Sequence, residues 1–535
     1  MIRESLADAI RDGLVALSVD PLPESIELER PARREHGDWS TNVALATAKR
    51  AGRNPRELAT ELVAHLEAHP PAHMTRVEIA GPGFINFRLA DTWLHDVLTT
   101  VVESGTEGYA RLDIGSGTRV NVEFVSANPT GPLHAGHGRG AAYGDALARI
   151  LERCGFDVWR EFYLNDRGTQ MQNFAASLQA RKDGSELPED GYKGEYVTEW
   201  AAEMPDDADP MAWGRDRAID DHREVLERMN VRFDTWFSES SMVDSGAIDE
   251  TLADLRAHDV AYDDDGATWL RSTNFGDDKD RVLVKTDGEL TYLTPDIAYH
   301  RDKFARGFDL LIDVWGADHH GYVPRMRAAL QALGHDPAAF EVPIVQLVNL
   351  VRAGEPVRLS KRAGDIVLLA DLLDEVGPDV ARLTYLLQSI DTKQTFDLDE
   401  VTKKANDNPV FYVQYANARV HSIGRVAAER DITRLPLADV DLSVLVHERE
   451  LEILRHLFEL PEALRIACSD QAPHKITTWV RDLASAFHGF YHDCPIVKDD
   501  VPAELAQARL WLVESAHVGL QIGLDLLGVT APERM

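Results

Sequence analysis

Residues 119–154 read RVNVEFVSANPTGPLHAGHGRGAAYGDALARILERC, and within them a strand pattern passes through a turn into a helix pattern. The first seven residues form the strand pattern, and the glycines and prolines after them mark the turn. Apolar residues then recur at helical spacing until Gly155 ends the run: Tyr143, Leu147, Ile150, Leu151 and Cys154. Strand, loop and helix in this order form one half of a mononucleotide-binding unit. The sequence therefore predicts an α/β fold with a parallel sheet of the Rossmann type.

A second half of such a unit follows downstream. The apolar run in FDLLIDVWGADHHG (308–321) meets a polar turn before the helical run VPRMRAALQALG (323–334), and PIVQLVNLV (343–351) predicts another buried strand. The acidic, loop-rich stretch at about 175–285 is interpreted as insertions in this domain. After about 370 the sequence shows no convincing strand pattern.

Two further domains flank the sheet domain. Residues 1–110 predict a small α+β domain, with helix signals at the start and in 41–52 and 54–66, and strand signals in SIELERP (25–31) and 77–90. Residues 111–370 form the predicted catalytic domain. Residues 371–535 predict an all-helical bundle, because apolar stripes recur at helical spacing: Leu451, Leu454, Phe458, and Val513, Ala516, Leu520, Leu524, Leu527.

The charge is strongly acidic, with 90 Asp and Glu against 56 Lys and Arg and a net charge of −34. Taken alone, this balance argues against a nucleic-acid ligand, which usually meets a basic face. Only 12 of the basic residues are Lys, and Asp clusters recur at 206–207, 263–265 and 277–278. This composition resembles halophilic proteins; an ordinary acidic enzyme is the alternative. Strong salt also weakens phosphate contacts, so the acidity is weak evidence against RNA.

Neither a membrane span nor a secretion signal is indicated, since no apolar run is long enough and the start, MIRESLADAIRDGL, is charged. Cys154, Cys468 and Cys494 are odd in number and far apart, which predicts buried thiols rather than disulfides or a zinc site. We expect a cytoplasmic protein.

The strongest motif is His134-Ala135-Gly136-His137, at the passage from strand to helix. Imidazoles and helix N-terminal NH groups there favour a bound polyphosphate, and Gly136 admits an adenine ring close to the backbone. By itself the tetrapeptide also fits surface histidines or local caps.

A basic element, Arg358-Leu359-Ser360-Lys361-Arg362, follows the PIVQLVNLV segment. Lysine and arginine side chains on a loop at this place would neutralise the negative charge that develops on the phosphates as pyrophosphate leaves. Alone, a basic pentapeptide is more often a solvated turn.

Together, in this order, the two elements resemble the HIGH and KMSKS signatures of class I aminoacyl-tRNA synthetases. The surrounding sequence resembles the arginyl-tRNA synthetases from GDWSTNVALA (37–46) to LGVTAPERM (527–535). The segments that carry the resemblance are EFVSANPTGPLHAGHGRGA, YLNDRGTQ, YLTPDIAYHRDK, WGADHHGYVPR, LSKRAGD and NPVFYVQYANAR. One departure is Arg358 in place of the first lysine of the KMSKS element, which makes Lys361 the better phosphate ligand.

The resemblance implies an arginine pocket. Asp296 and Tyr292, one helical turn apart, would hold the guanidinium, while Asn128 and Ser126, with help from Glu123, would hold the amino and carboxylate end. A structural salt bridge is the alternative role for Glu123 and Asp296.

The family also implies ATP with Mg²⁺ as substrate and no protein-bound zinc. Asp318 and His319 would contact the ribose and adenine, with Gly136, His134, His137, Ser360 and Lys361 completing the ATP site and His134, His137 and Lys361 acting in catalysis. A metal held by Asp318, His319 and His320, or by His134 and His137, is the weaker hypothesis because ligand spacing is lacking.

For tRNA(Arg), the resemblance implies contacts from Phe84 and Asn86 to the D-loop and from Tyr412, Arg419 and Met535 to the anticodon. Core packing is the alternative for Phe84, Asn86 and Tyr412. The expected partners are tRNA(Arg), arginine and ATP, with no membrane, and the chain is expected to be a monomer. A class I synthetase for another amino acid and a catalytically silent arginine or tRNA sensor are the alternative functions.

Overall fold

The computed structural model describes residues 2–31, 33–357, 367–403 and 408–535. Its contacts divide the chain into two compact units. The first comprises Met1–Gly105, Ile423–Phe458 and Ala486–Val518, and the second comprises Thr106–Ser422, Glu459–Ser485 and Gly519–Met535. None of the helices within the described ranges combines the length and the apolar character that a bilayer crossing requires.

The strands in chain order are β1 (Trp39–Thr41), β2 (Met74–Ala80), β3 (Phe84–Leu89), β4 (Arg119–Glu123), β5 (Asp157–Leu164), β6 (Thr235–Ser238), β7 (Ala261–Asp264), β8 (Ala267–Leu270), β9 (Arg281–Val284), β10 (Leu310–Asp313), β11 (Trp315–Gly316), β12 (Phe340–Glu341), β13 (Ile344–Val345), β14 (Val348–Arg352), β15 (Glu355–Pro356) and β16 (Gln394–Asp397).

The α-helices are α1 (Ile2–Ala16), α2 (Val43–Ala48), α3 (Pro55–Ala68), α4 (Thr92–Gly108), α5 (Ala135–Arg153), α6 (Thr169–Asp183), α7 (Glu195–Glu203), α8 (Pro210–Arg228), α9 (Glu239–Asp244), α10 (Ala247–Ala257), α11 (Leu293–Ala305), α12 (Val323–Ala332), α13 (Leu369–Val376), α14 (Pro378–Tyr385), α15 (Leu398–Val401), α16 (Pro409–Glu429), α17 (Glu448–Ser469), α18 (His474–Asp493) and α19 (Ala503–Leu526).

In the first unit, β1, β3 and β2 pair antiparallel in that order. On β3, Ile85 and Phe87 are fully buried, as the alternation of the strand requires for a sheet with one core face. An aromatic cluster joins Trp39, Trp93 and Phe458, with Trp93 meeting Phe458 edge-on at 4.9 Å between ring centroids. The predicted α+β character of the N-terminal segment is confirmed, but SIELERP forms only an isolated bridge, Glu29 to Ser40, instead of a strand.

The second unit is built on a parallel sheet with strand order β12-β10-β4-β5-β6. Its strands are apolar because helices cover both faces of such a sheet: Val120, Val122, Leu311, Ile312 and Phe162 are all buried. The chain proceeds from β4 to β5 and β6 on one side and returns on the other side through β10 and β12. This reversal creates a topological switch point between β4 and β10, beyond whose carboxyl ends ligands bind in open α/β sheets. The predicted Rossmann-type fold class is confirmed.

Three details differ from the sequence predictions. PIVQLVNLV is not one buried strand but two half-buried ones: β13 pairs with β11, and β14 pairs with β15 and β16. A strand, β16, does occur beyond residue 370 and pairs parallel with β14. The stretch 175–285 holds the separate β7-β8-β9 sheet, yet it also supplies β6, an edge strand of the main sheet. For β6 and β16, tertiary pairing stabilises a short strand whose local pattern is weak, whereas the apolar run of PIVQLVNLV is divided between two small sheets.

The long helices α16 to α19 dominate the chain after residue 408, as predicted. The apolar stripes are buried at Leu451, Leu454, Val513, Ala516, Leu520, Leu524 and Leu527, while Phe458 is half-buried in the aromatic cluster of the first unit. All three cysteines are buried thiols, also as predicted.

Candidate active site

The segment after β4 is strained. Val125 and Ser126 have φ of 71° and 40°, and the left-handed region is costly for a β-branched residue such as Val125. The turn brings Ser126 Oγ to Glu123, to whose Oε1 it donates at 2.8 Å, and Ser126 Oγ also accepts the backbone NH of Tyr163 at 3.1 Å. The hydrogen bonds of Ser126 therefore hold this strained turn in place at the carboxyl end of β4.

Glu123 takes part in a buried charge network at the switch point. Lys303 from α11 is fully buried, and its Nζ lies 2.5 Å from Glu123 Oε2 and 2.8 Å from Asp313 Oδ1. Asp313 also accepts a hydrogen bond from His300 Nε2 at 2.7 Å. The structural salt bridge that the sequence left open for Glu123 is thus present.

Opposing effects act on Lys303. Burial alone would lower the pKa of Lys303, but the carboxylates of Asp313 and Glu123 more than offset it and hold the pKa above its ordinary value. The ammonium is therefore charged, and two carboxylates at the ends of neighbouring parallel strands share one buried cation.

The predicted guanidinium ligands lie at the start of α11. Tyr292 immediately precedes the helix and is 88% exposed, whereas Asp296 is half-buried in its first turn. The Tyr322 hydroxyl donates to Asp296 Oδ2 at 2.6 Å, and Oδ1 has no hydrogen-bond donor among the described residues. Burial raises the pKa of Asp296, partly offset by the Tyr322 hydrogen bond. Asp296 thus has one carboxylate oxygen in a hydrogen bond with Tyr322, and it lines neither of the two cavities described below.

Asn128 lies on the same loop as Ser126, half-buried, and its amide donates to Gln170 Oε1 at the start of α6. Asn128 and Ser126 both line a common cavity with His134 and His137. The structure therefore brings these four predicted site residues together.

The HAGH motif begins helix α5. His134 is the N-cap residue, and a short bridge ties this turn to the segment before α13: Ala135 N donates to Val367 O at 2.9 Å, and Leu369 N donates to Leu133 O at 2.8 Å. The rings of His134 and His137 stack with centroids 3.7 Å apart. A Cβ on Gly136 would lie 2.9 Å from the His134 ring, so glycine is required here for the imidazole to keep its place.

Both motif histidines are neutral at pH 7. Burial lowers the pKa of His134, and burial together with His134 and His222 lowers the pKa of His137 to about 3. The backbone NH of His134 donates to His137 Nδ1 at 3.2 Å, so the proton of the neutral ring is on Nε2. These rings can act as neutral hydrogen-bond donors at the helix N-terminus rather than as cations.

Two cavities meet at this turn. The first cavity, about 690 Å³, brings His134, Gly136 and His137 together with Asp318 and His319, under a wall made by residues 345–351. His319 Nε2 lies 3.4 Å from Asp318 Oδ2 with both side chains exposed, and neighbouring His320 is exposed. The predicted ATP residues that the structure describes therefore lie in one cavity.

The second cavity, about 650 Å³, borders the same turn. It shares Ser126, His134 and His137 with the first and adds Asn128, Thr130, Gly131, Tyr192, Lys193, Tyr196 and the buried His222. No group of three or more His, Cys, Asp or Glu side chains in the described ranges is arranged to hold a metal ion.

Other predicted residues lie elsewhere. Arg358, Leu359, Ser360, Lys361 and Arg362 fall outside the described residues. Phe84 is 41% exposed at the start of β3 and Asn86 is buried two residues on. Within α16, Tyr412 and Arg419 are half-buried two turns apart, the Arg419 guanidinium lies 4.4 Å from the Tyr415 ring, and Met535 is 54% exposed.

Sequence reasoning missed Lys303, Asp313, His300, Tyr322 and His222. A signal existed for the first two, because Asp313 ends the strand beside β4 in register with Glu123, and Lys303 lies two helical turns after Asp296 on the same helix. Tyr322 reaches the site from the turn just before α12, and His222 reaches it from α8, through contacts that no local pattern reveals.

Three family models match consecutive parts of the chain. The arginyl tRNA synthetase N terminal domain matches residues 1–89, the catalytic domain of class I (R) tRNA synthetases matches 102–192 and 202–423, and the DALR anticodon binding domain matches 413–535. Arginine–tRNA ligase of Bacillus subtilis is 43% identical, over 100% of both chains. The enzyme of Geobacillus thermodenitrificans is 45% identical, over 100% of this chain and 99% of its own. The solved arginyl-tRNA synthetase of Thermus thermophilus shares the fold, with a TM-score of 0.77, 23% identity and 100% coverage of both chains. The chain belongs to the arginyl-tRNA synthetase family of class I aminoacyl-tRNA synthetases.

Proposed function

We propose that this chain is an arginine–tRNA ligase. It activates L-arginine with ATP to arginyl-adenylate, releases pyrophosphate, and transfers the arginyl group to the 3′-terminal adenosine of tRNA(Arg), releasing AMP. The observation that carries this proposal is the meeting of HAGH with Asn128 and Ser126 in one cavity, with Ser126 bonded to Glu123, in a chain that matches arginine–tRNA ligases along its length.

Activation needs no enzyme nucleophile. The arginine carboxylate attacks the α-phosphorus of ATP in line, the bond from that phosphorus to the bridging oxygen breaks, and pyrophosphate leaves. Catalysis is then positioning and electrostatics. His134 and His137, both neutral, donate to the α-phosphate at the N-terminus of α5, while Lys361 approaches the β and γ phosphates.

Arginine recognition rests chiefly on Asp296. Glu123 is already neutralised by Lys303, so its charge is not available in full, and Asp296 Oδ1 is the carboxylate oxygen left for the guanidinium. Exposed Tyr292 covers the bound side chain, and Ser126 and Asn128 hold the amino and carboxylate end. A guanidinium paired with one half-buried carboxylate is a charge-assisted contact that an uncharged side chain cannot make.

ATP occupies the first cavity, with Gly136, Asp318 and His319 near adenine and ribose and Ser360 near the phosphates. Magnesium arrives on the phosphates, because it keeps most of its water and binds proteins through few ligands. No zinc is required.

For tRNA, Phe84 and Asn86 meet the D-loop, and Tyr412, Arg419 and Met535 form the anticodon pocket. Tyr415 and Arg419 already stack in α16, which is the kind of platform on which a splayed base stacks. The domain boundaries proposed for these roles are 1–110, 111–370 and 371–535, and activation depends on tRNA being bound.

The protein acts in the cytoplasm as a monomer and is adapted to high salt. The proposed adaptation to high salt is supported by the net charge of −34 and by fully exposed acidic side chains such as that of Asp206. In the Asp277–Asp278 cluster, however, the Asp277 side chain is buried and paired with Arg281, so not every acidic cluster lies on the surface.

The test is charging of bulk tRNA with each of the twenty radiolabelled amino acids, ATP and Mg²⁺. Charging with arginine alone is expected. Charging with another amino acid would indicate a different class I synthetase, and no charging at all would favour a sensor without catalytic activity.

A further inference from the structure

The second cavity contains a buried histidine that activation does not use. His222, on α8, is fully buried, and its Nε2 lies 2.8 Å from the backbone oxygen of Gly131. A carbonyl can only accept, so Nε2 carries the proton and donates. Burial lowers the pKa of His222 to about 4, which keeps the ring neutral and leaves Nδ1 as a bare acceptor.

Nδ1 of His222 is buried with no hydrogen-bond donor among the described residues. A buried acceptor without a donor costs about 1–3 kcal/mol. A ligand or an ordered water in the cavity would remove that cost.

His137 lines the same cavity with the opposite capability. Its Nδ1 accepts from the backbone of His134, so its Nε2 carries a proton to donate. The two rings lie close enough for His222 to contribute to the lowered pKa of His137. One donor and one acceptor on a shared cavity match a hydroxyl group, which accepts and donates at once; a guanidinium can only donate and a carboxylate can only accept.

We infer that the second cavity receives the terminal nucleoside of tRNA, with His222 Nδ1 accepting the hydrogen bond of the attacking ribose hydroxyl. In this transfer step His137 Nε2 donates to the hydroxyl, while His134 alone keeps its hydrogen bond to the α-phosphate. This inference rests on the proposed function and assigns the residue that orients the hydroxyl in the transfer step.

The remaining lining fits a nucleotide. Tyr192 and Tyr196 present half-buried aromatic rings for a base, and exposed Lys193 at the rim can meet the preceding phosphate. Tyr196 is fixed by its hydroxyl, which donates to Thr130 O at 3.0 Å, and a Cβ on Gly131 would lie 2.7 Å from that hydroxyl. Gly131 therefore supports both Tyr196 and His222.

The position also fits the reaction. Because Ser126, His134 and His137 line both cavities, a hydroxyl in the second cavity borders an adenylate in the first. The hydroxyl oxygen bonds to the carbonyl carbon, the bond from that carbon to the phosphate oxygen breaks, and AMP leaves with the hydroxyl proton on its phosphate. His222 orients the hydroxyl and keeps no proton.

Paired substitutions separate this role from a structural one. His222→Gln can keep the donor to Gly131 O but lacks the acceptor at Nδ1, whereas His222→Asn keeps an acceptor there and loses the Gly131 bond. His335→Gln, at a half-buried histidine outside both cavities, is the matched control. For each protein, arginine-dependent pyrophosphate exchange in the presence of tRNA, tRNA charging, the KM for arginine and thermal unfolding are measured.

We expect His222→Gln to slow charging about tenfold, which corresponds to the loss of one hydrogen bond. Pyrophosphate exchange and the arginine KM should stay within about twofold of wild type. His222→Asn should charge faster than His222→Gln despite a lower Tm. Equal loss of exchange and charging, a raised arginine KM, or normal charging by His222→Gln would overturn the inference.

Lys193→Ala keeps the inference testable if both His222 variants unfold, because Lys193 is exposed. Its KM for tRNA should rise about threefold, as expected for one lost phosphate contact, with the KM values for arginine and ATP unchanged; an unchanged KM for tRNA would count against the cavity as the nucleotide site. A wild-type protein that neither exchanges nor charges would instead refute the proposed function.

Discussion

Replacing Asp296 with asparagine removes the carboxylate charge that we propose to pair with the guanidinium of arginine. In the free protein the change is mild, since the asparagine side chain keeps an oxygen that can accept from the Tyr322 hydroxyl, which lies 2.6 Å from Asp296 Oδ2 in the native chain. In the complex it is severe, because the new amide NH₂ faces the NH groups of the ligand and the guanidinium loses its counter-charge.

The size of the effect follows from burial. Removing one partner of a buried ion pair costs about 3–5 kcal/mol, and Asp296 is half-buried at the start of α11, so we take about 3 kcal/mol. At about 1.4 kcal/mol per decade, this corresponds to roughly a hundredfold loss in kcat/KM for arginine. The loss should fall mainly on KM, because the guanidinium is bound alike in the ground and transition states.

The assay is steady-state charging with varied arginine, together with the KM for ATP. Asp302→Asn is the matched control on the same helix: its carboxylate lies 2.8 Å from Arg306 and does not line the described cavities. It should change the arginine KM by less than about threefold. An Asp296→Asn protein with a near-normal arginine KM would show that the guanidinium binds elsewhere.

Lys361→Ala should lower the activation rate with little effect on the arginine KM. Lys393→Ala, at an exposed site, is the control and should leave both unchanged. An unchanged turnover of Lys361→Ala would show that Lys361 takes no part in the mechanism. Lys303→Met should destabilise the protein by about 3 kcal/mol in urea at pH 7, and by less in acid, where Glu123 and Asp313 can protonate; equal loss at both pH values would contradict a charge origin. The arginine KM should rise as pH falls through the raised pKa of Asp296, since protonation removes the negative charge, and a KM independent of pH would argue against this carboxylate. Tm should rise up to about 1 M KCl, where the Debye length is about 3 Å, because screening relieves the repulsion within a chain of net charge −34; a falling Tm would argue against salt adaptation.

The parts of the fold that local patterns specify were predictable. RVNVEFV and the apolar stripe ending at Cys154 predict β4 and α5, and the structure has them at Arg119–Glu123 and Ala135–Arg153. Periodicity carries this information because each element buries one continuous face or run. The turn between them also placed His134 at a helix N-terminus.

The parts that depend on pairing between distant segments were not predictable. Four-residue strands such as β6 and β16 are stabilised by their neighbours and not by their own composition. Lys303 meets Glu123 across 180 positions of sequence, and nothing local distinguishes a buried bridging lysine from an exposed one. The same holds for His222: only the structure shows that its Nε2 donates to Gly131 while its Nδ1 has no donor among the described residues.

Pyrophosphate exchange with each of the twenty amino acids, with and without tRNA(Arg), tests most directly whether this chain activates arginine. We expect exchange to be driven by arginine alone, and only when tRNA is present. Exchange with a different amino acid, or silence with all twenty in the presence of tRNA, would contradict it.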